Sequence, residues 1–276
     1  MSELLELRDV VYQETGIYFP DEKQYYFESR FTKRMQALGL SSFAEYMEYL
    51  KNGDGQKEEL YNLMNDLTVN ETSFFRNMSQ FKALETVVLP QIIKAKVESP
   101  LKRLKIWSAG CSTGEEAYSV AMIVHEMITG PLMGWAVEIR GTDISKRVLQ
   151  KAEKGIYNEY SVKNMPEYYK EKYIEVNKDE YKVKDCVKKY VRFSHFNLND
   201  DMSMVFMKGY DIIFCKNVLI YFDQESKKRV IQHFFNNLIL GGFLFIGFSE
   251  SLFGINDRFK LVHFPGGMVY CKVAHI

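Results

Sequence analysis

Few cysteines, no excess of either charge and no long apolar run mark this chain, and each shortage closes off a class of protein. Cys111, Cys186, Cys215 and Cys271 are the only four in 276 residues, and no two form a CxxC pair. Neither a disulfide framework nor a metal site is therefore expected, and a reducing, cytoplasmic setting is. Lys plus Arg equals Asp plus Glu at 36 each, so net charge suggests neither nucleic acid nor membrane as a partner. No stretch approaches the roughly 18 apolar residues that a membrane span requires. Residues 1–11 carry Glu3, Glu6 and Arg8 within an apolar pattern, unlike a signal peptide. The five histidines, His125, His195, His233, His263 and His275, have no motif around them. What the chain does have is 46% hydrophobic residues, enough to build one large domain or two modest ones.

Residues 1 to about 75 read as helices only. The clearest runs from Asp21 to Leu38, with Phe27, Phe31, Met35 and Leu38 on one face and Gly39 as its C-cap. Ser41 or Ser42 caps the next, to about Lys51. A turn at Asn52-Gly53-Asp54-Gly55 leads to a third, ending near Leu67. Met78–Val97 reads as a linking helix. From about Lys102 the texture changes to alternation: strand 102–108, helix 115–128, strand 135–142, helix 145–154, and later strand 210–216, helix 223–238, strand 243–247. This predicts an α/β fold, a parallel sheet with helices on both faces, closed by an antiparallel pair within Arg258–Val273. Residues 155–194 break the rhythm. Lys172–Val176, Glu180–Lys184 and Lys189–Ser194, the first two joined at Asn177-Lys178-Asp179, suggest a small inserted antiparallel sheet. The expected domains are 1–75 and 76–276, with the insert at about 155–194.

The most informative stretch is Trp107–Ser119, WSAGCSTGEEAYS, which joins a strand to a helix. Ligands of open α/β sheets bind at such turns, where Gly110 and Gly114 free the backbone of Cβ atoms. It has neither the lysine of a phosphate-binding P-loop nor the GxGxxG of a dinucleotide fold. Glu115 and Glu116 at the helix start would repel a pyrophosphate, but suit a ligand with an ammonium and a sulfonium. S-adenosylmethionine carries both. Asp143 ends the second strand and reads in two ways: as an acceptor for ribose hydroxyls, or as a cap for the helix beginning at Ser145.

Several segments together resemble the chemotaxis receptor methyltransferases, the CheR family. They are Asn70–Arg76 (NETSFFR), Ser108–Ser119, Gly141–Ile144, Phe196-Asn197-Leu198, Phe214–Phe222 (FCKNVLIYF) and Gly247–Ser251 (GFSES). The resemblance spans nearly the whole chain, with its motifs in order. It implies a Rossmann-like S-adenosylmethionine-dependent domain, a helical N-terminal domain and an inserted β-subdomain. The implied activity is methyl transfer to glutamate side chains on chemoreceptor helices. The implied cofactor contacts are Asn70, Thr72, Arg76, Glu116, Asp143, Asn197, Leu198, Lys216 and Asn217, with Glu115 added from the turn itself. Arg76 and Tyr221 are the catalytic candidates, acting by positioning; Tyr221 also reads as a core aromatic. Where the family usually has arginine this chain has Lys216, which keeps the charge and loses the bidentate fork. Cys111 reads as a small packing residue.

The acceptor chemistry is undemanding. A glutamate with a pKa near about 4.3 is ionised at neutral pH, so no general base is required. On the Asp21–Leu38 helix, Lys23, Arg30, Lys33 and Arg34 fall within an arc of roughly 100°. They read either as a solvated face or, in line with the resemblance, as a docking surface for receptor helices. Some family members recognise a peptide tethered at the receptor's C-terminus through a glycine-rich loop in the insert. The corresponding Glu175–Glu180 has no glycine, which suggests that this chain works without the tether.

Overall fold

The computed structural model describes residues 2–52 and 55–274. Met1, Gly53 and Asp54 of the expected turn, and His275 lie outside the described residues. The first four helices are α1 (Ser2–Thr15), α2 (Gln24–Ala37), α3 (Phe43–Asn52) and α4 (Gln56–Leu67). A 3-10 turn, Asp21–Lys23, leads into α2, and Gly39 beyond its end has the left-handed φ of 69° that a C-cap requires. Ser42 caps α3: its hydroxyl accepts from the Glu45 N–H at 3.2 Å, while the Glu45 carboxylate accepts from the Ser41 N–H at 2.8 Å.

The linking helix is helical throughout but not uniform. α5 (Met78–Ala83) passes through a π turn (Leu84–Val88) into α6 (Leu89–Lys96). The cause is Pro90, which has no N–H for the Thr86 carbonyl and whose ring would strike the preceding turn; the wider spacing absorbs it.

The remaining elements are β1 (Arg103–Ala109), α7 (Glu115–Met127), β2 (Ala136–Asp143), α8 (Lys146–Lys154), β3 (Ile156–Tyr157), α9 (Glu159–Val162), α10 (Glu167–Tyr173), β4 (Ile174–Asn177), β5 (Glu180–Val183), α11 (Asp185–Lys188), β6 (Val191–His195), α12 (Asp201–Met204), β7 (Tyr210–Cys215), α13 (Gln224–Asn237), β8 (Leu238–Ile246), β9 (Phe259–Phe264) and β10 (Gly267–Lys272). A seven-stranded sheet has the order β6-β2-β1-β7-β8-β10-β9. The first five strands are parallel, and β10 is antiparallel to both its neighbours. The chain moves outward from β1 to β2 and β6, then returns to β7 on β1's other side. That reversal opens a crevice at the carboxyl ends of β1 and β7.

One expectation is corrected. Lys189–Ser194 was expected in the small sheet; the strand there, β6, instead pairs parallel with β2 at the edge of the main sheet. Alternating Val and Phe signal a strand without naming its partner. Phe193 faces the main core, its ring 5.4 Å from that of Tyr118. The third strand of the small sheet is β3, only two residues long and so invisible as a pattern; the order is β3-β5-β4. β4 and β5 pair from Asn177↔Glu180 outward, with Lys178 at a φ of 53° in the two-residue turn.

Two cores cover the two faces of the main sheet. One gathers Phe74, Phe81, Ile106, Phe214, Phe245 and the apolar side of α7. The other joins Trp107, Tyr210, Ile213 and Phe234 to Leu7, Val11, Phe27, Phe31 and Leu63 of the helical domain. The helical domain is thus packed continuously onto the sheet. The end of α1 is also bonded to the loops after β6 and β7. Asn197 and Asn199 donate to the carbonyls of Glu14 (2.6 Å) and Gln13 (3.0 Å), which the helix itself leaves without partners. Tyr12 donates to Asp223 at 2.9 Å, the Tyr18 N–H donates to the Tyr221 carbonyl at 2.9 Å, and Ile17 and Phe222 form an isolated antiparallel bridge.

Candidate active site

The ends of β1, β2, β6 and β7, with the segment 68–76 folded across them, enclose one cavity of about 240 Å³. The turn after β1 reaches it through Gly110, Cys111 and Ser112. Gly110, at a φ of 72°, also packs so closely that a Cβ there would run into Val218. Gly114, at 92°, is not at the cavity; a Cβ would lie 2.8 Å from Ala152. Packing, rather than approach to a ligand, explains this second glycine.

The two glutamates of the turn separate. Glu116 lines the cavity, one carboxylate oxygen accepting from the Ser108 hydroxyl (2.8 Å) and the other paired with Lys216 Nζ (3.2 Å). Glu115, expected as a cofactor contact, points the other way. It is 1% exposed and accepts from Thr113 Oγ1 (2.6 Å) and from Ser161 Oγ (3.0 Å) in α9. Neighbouring residues on a helix are about 100° apart, so both could not face one cavity. Burial pushes the Glu115 carboxyl upward in pKa, opposed by these hydrogen bonds.

Asp143 is buried at the cavity wall. Its two oxygens accept the N–H groups of Ser112 and Ser145, each at 2.9 Å. Burial raises its pKa, and those N–H groups oppose the rise. It therefore braces the turn, while the cap of α8 is Ser145, whose hydroxyl accepts from the Val148 N–H. Each carboxylate oxygen has more than one lone pair, so Asp143 and Glu116 keep acceptor capacity toward the cavity.

Lys216 is almost fully buried. Its ammonium meets Glu116, donates to the Arg76 carbonyl (3.1 Å) and lies 4.7 Å from the Phe81 ring centre. Burial lowers its pKa, with Glu116 opposing. Asn217 follows at a φ of 61°, and its N–H donates to Glu250 at 3.1 Å. Leu198 and Asn197 reach the cavity from the loop after β6, although the Asn197 amide is engaged by Glu14 and Asn199. Asn70 and Thr72 line the opposite wall, and Ser112 Oγ donates to the Asn70 carbonyl at 2.9 Å. Arg76 stands exposed at the mouth, donating to the Glu71 carbonyl at 3.0 Å, and Tyr221 donates to the Val69 carbonyl at 3.0 Å. Cys111 is buried, and burial pushes its thiol well up in pKa, in keeping with packing.

Residues 2–68 match the family model for the CheR methyltransferase all-alpha domain, and residues 70–268 match that for the CheR methyltransferase S-adenosylmethionine-binding domain. The chain belongs to the CheR methyltransferase family. It is similar to the chemotaxis protein methyltransferase 2 of Vibrio cholerae, at 37% identity over 98% of this chain and 93% of that one. A chemotaxis protein methyltransferase of Borreliella burgdorferi is 36% identical over 92% and 89%. As a member, the chain is an S-adenosylmethionine-dependent methyltransferase with a Rossmann-like domain and a helical N-terminal domain.

The basic face expected on α2 is only partly present. Arg34 is turned inward and bidentate to Glu59, at 2.9 and 2.6 Å, beside the buried Tyr46 hydroxyl that also donates to Glu59. Lys33 pairs with Asp66 at 3.1 Å, and the Arg30 guanidinium lies 4.9 Å from the Tyr26 ring centre. Lys23 is exposed. Spacing on a helix gives direction, not the partners that α4 supplies.

Sequence reasoning missed several contributors, among them Thr15, Ile17 and Glu250. Thr15 and Ile17 of the helical domain line the cavity. Glu250 is buried and accepts the N–H groups of Gly247 (2.6 Å) and Asn217, bracing the loop after β7. Its segment GFSES carries part of the family resemblance, and a glutamate between small residues after a strand is the available signal.

Proposed function

We propose that this enzyme transfers the methyl group of S-adenosylmethionine to glutamate side chains of chemoreceptors, forming methyl esters for sensory adaptation. The arrangement of Glu116, Asp143 and Lys216 around one cavity supports this reading most directly. Two carboxylates with acceptor capacity suit a cofactor that carries an ammonium, a sulfonium and ribose hydroxyls. Asp143 accepts the ribose hydroxyls. Glu116 faces the methionyl end, held at the correct angle by Ser108 and Lys216. Asn70, Thr72, Leu198 and Asn217 close the walls, with Asn197 shaping the loop beneath. Lys216 acts through Glu116 and through the Arg76 carbonyl.

When bound, S-adenosylmethionine supplies a methyl group already activated by its sulfonium. The chain's own part is to align the acceptor and exclude water. Arg76 at the mouth orients the acceptor carboxylate by charge-assisted hydrogen bonds. Tyr221, its hydroxyl tied to Val69, forms a fixed wall beside the reaction. The receptors' cytoplasmic helices are the protein substrate, so the enzyme works in the cytoplasm, without nucleic acid and without entering the membrane. The glycine-free turn between β4 and β5 supports activity without the tether; tight binding of the receptor tail peptide in calorimetry would refute this. The decisive assay incubates labelled cofactor with receptor-enriched membranes and tests for alkali-labile methyl esters. Alkali-stable label, or none, would overturn the acceptor assignment.

A further inference from the structure

This neutral chain places its charge unevenly. Residues 1–75 hold seven Lys or Arg against fourteen Asp or Glu. Residues 144–192, from the end of β2 through α8 and the small sheet into β6, hold thirteen against eight. The cations of the two regions are also used differently. In the helical domain Arg34, Lys33 and Arg8 meet Glu59, Asp66 and Asp21. On α8, Val148, Leu149 and Ala152 are buried. Lys146, Arg147, Gln150, Lys151 and Lys154 fall on the exposed side, within an arc of roughly 140° at about 100° per residue, with the exposed Glu153 as the one acid at its edge. Lys188 of α11 continues the strip, its Nζ donating to the Lys154 carbonyl at 3.0 Å. Lys151, Lys154 and Lys188 have no carboxylate within 4.0 Å among the described residues.

The strip begins at the active site. The N–H of Ser145, the cap of α8, donates to Asp143, and Ile144 lines the cavity. It then runs toward the small sheet. We propose that this strip, centred on Lys151, Lys154 and Lys188, docks the acidic receptor helix that carries the acceptor glutamates. The proposal rests on the reading above that the acceptors are receptor glutamates. Lys151 and Lys154 are three residues apart, about 4.5 Å along the axis, which matches carboxylates spaced three or four residues apart on a partner helix. Phosphates would also suit the charge. Bases need free aromatic faces, however, and here lysines cover them: Lys163 Nζ lies 3.8 Å from the Tyr160 ring centre and Lys189 Nζ 5.0 Å from that of Tyr190. The acceptor glutamates named above supply the complementary charge, and a protein helix is the occupant proposed.

The test compares the full-length wild type, a triple variant Lys151→Glu/Lys154→Glu/Lys188→Glu, its Lys→Gln counterpart, and Lys23→Glu/Arg30→Glu. Binding to a purified chemoreceptor cytoplasmic fragment is measured separately from methyl transfer, with S-adenosylhomocysteine affinity as the control for folding. Docking on the strip weakens receptor binding at least tenfold in the reversed triple, by a smaller factor in the Gln triple, and less than twofold in the α2 variant. Cofactor affinity stays constant. Binding within twofold of wild type in the reversed triple, or a larger loss in the α2 variant, overturns the proposal. So does a mixed-sequence single-stranded RNA that displaces the receptor fragment at lower concentration than unlabelled fragment. If wild type binds the fragment through the strip yet forms no methyl ester, docking stands and the acceptor reading alone falls.

Discussion

The helical domain and the segment from α8 to β6 carry similar lysine and arginine side chains to opposite ends. In the first, Arg34 is folded inward onto Glu59, while Lys33 and Arg8 meet Asp66 and Asp21 nearer the surface. In the second, Arg147, Lys170, Lys172 and Lys182 pair with Asp66, Glu167, Glu126 and Glu175, while Lys151, Lys154 and Lys188 have no carboxylate within 4.0 Å among the described residues. A count of charge on a helix wheel treats the two alike. The difference lies in what the neighbouring element supplies: α4 offers Glu59 and Asp66 to α2, whereas Lys151 and Lys154 have no carboxylate within 4.0 Å among the described residues.

The sharpest way to break this comparison is to remove an inward cation. Arg34→Ala leaves Glu59, 2% exposed, with only Tyr46 as a donor. Chemical denaturation is expected to show a loss of about 3–5 kcal/mol, the usual result of stripping one partner from a buried pair. Arg34→Lys keeps the charge, gives up the fork and costs about 1 kcal/mol. The second expected effect concerns the outward cations: raising ionic strength from about 0.05 to 0.5 M shortens the Debye length severalfold and weakens receptor binding several-fold, while cofactor affinity barely moves. An unchanged receptor affinity across that range would show that the outward lysines do not steer binding.

Two smaller effects refine the contrast. The pair of the exposed Lys33 with Asp66 should give less than about 1 kcal/mol in a double-mutant cycle. Among the ties between the insert and α7 is Glu126, which accepts from Lys172 and Tyr168 and also from Tyr173. Burial pushes the Glu126 pKa up, but these hydrogen bonds outweigh it and hold the carboxyl below its ordinary value. A depressed carboxyl contributes stability that is present above its unfolded pKa, near about 4.3, and lost as pH falls through the folded value. Thermal unfolding of wild type and Glu126→Gln should therefore converge as pH drops from 5 toward 3. A gap that persists at low pH would count against this account.

The sequence carried the repeating pattern of the main sheet because period-2 and period-3.6 burial write themselves directly into residue order. It carried Asp143, Glu116 and the loop after β7 because the turns at strand ends are continuous segments. It could not carry pairings that depend on another element. Which sheet takes β6, which glutamate of the pair meets the cavity, and where Arg34 points are all decided by partners distant in sequence. Thr15 and Ile17 show the same limit: nothing in their own segment says that the end of α1 completes a cavity built by the sheet.

That completion has a thermodynamic consequence. Because Thr15 and Ile17 form part of the cavity wall, and Asn197, Asn199 and Tyr12 fasten the end of α1 to the loops that hold it, occupancy and attachment are linked quantities. Whatever free energy a ligand gains from an intact wall also resists detachment of α1. Amide exchange at Val11–Thr15 should slow when S-adenosylhomocysteine is added. The helical domain then reports, through its own local opening, whether the enzyme is loaded.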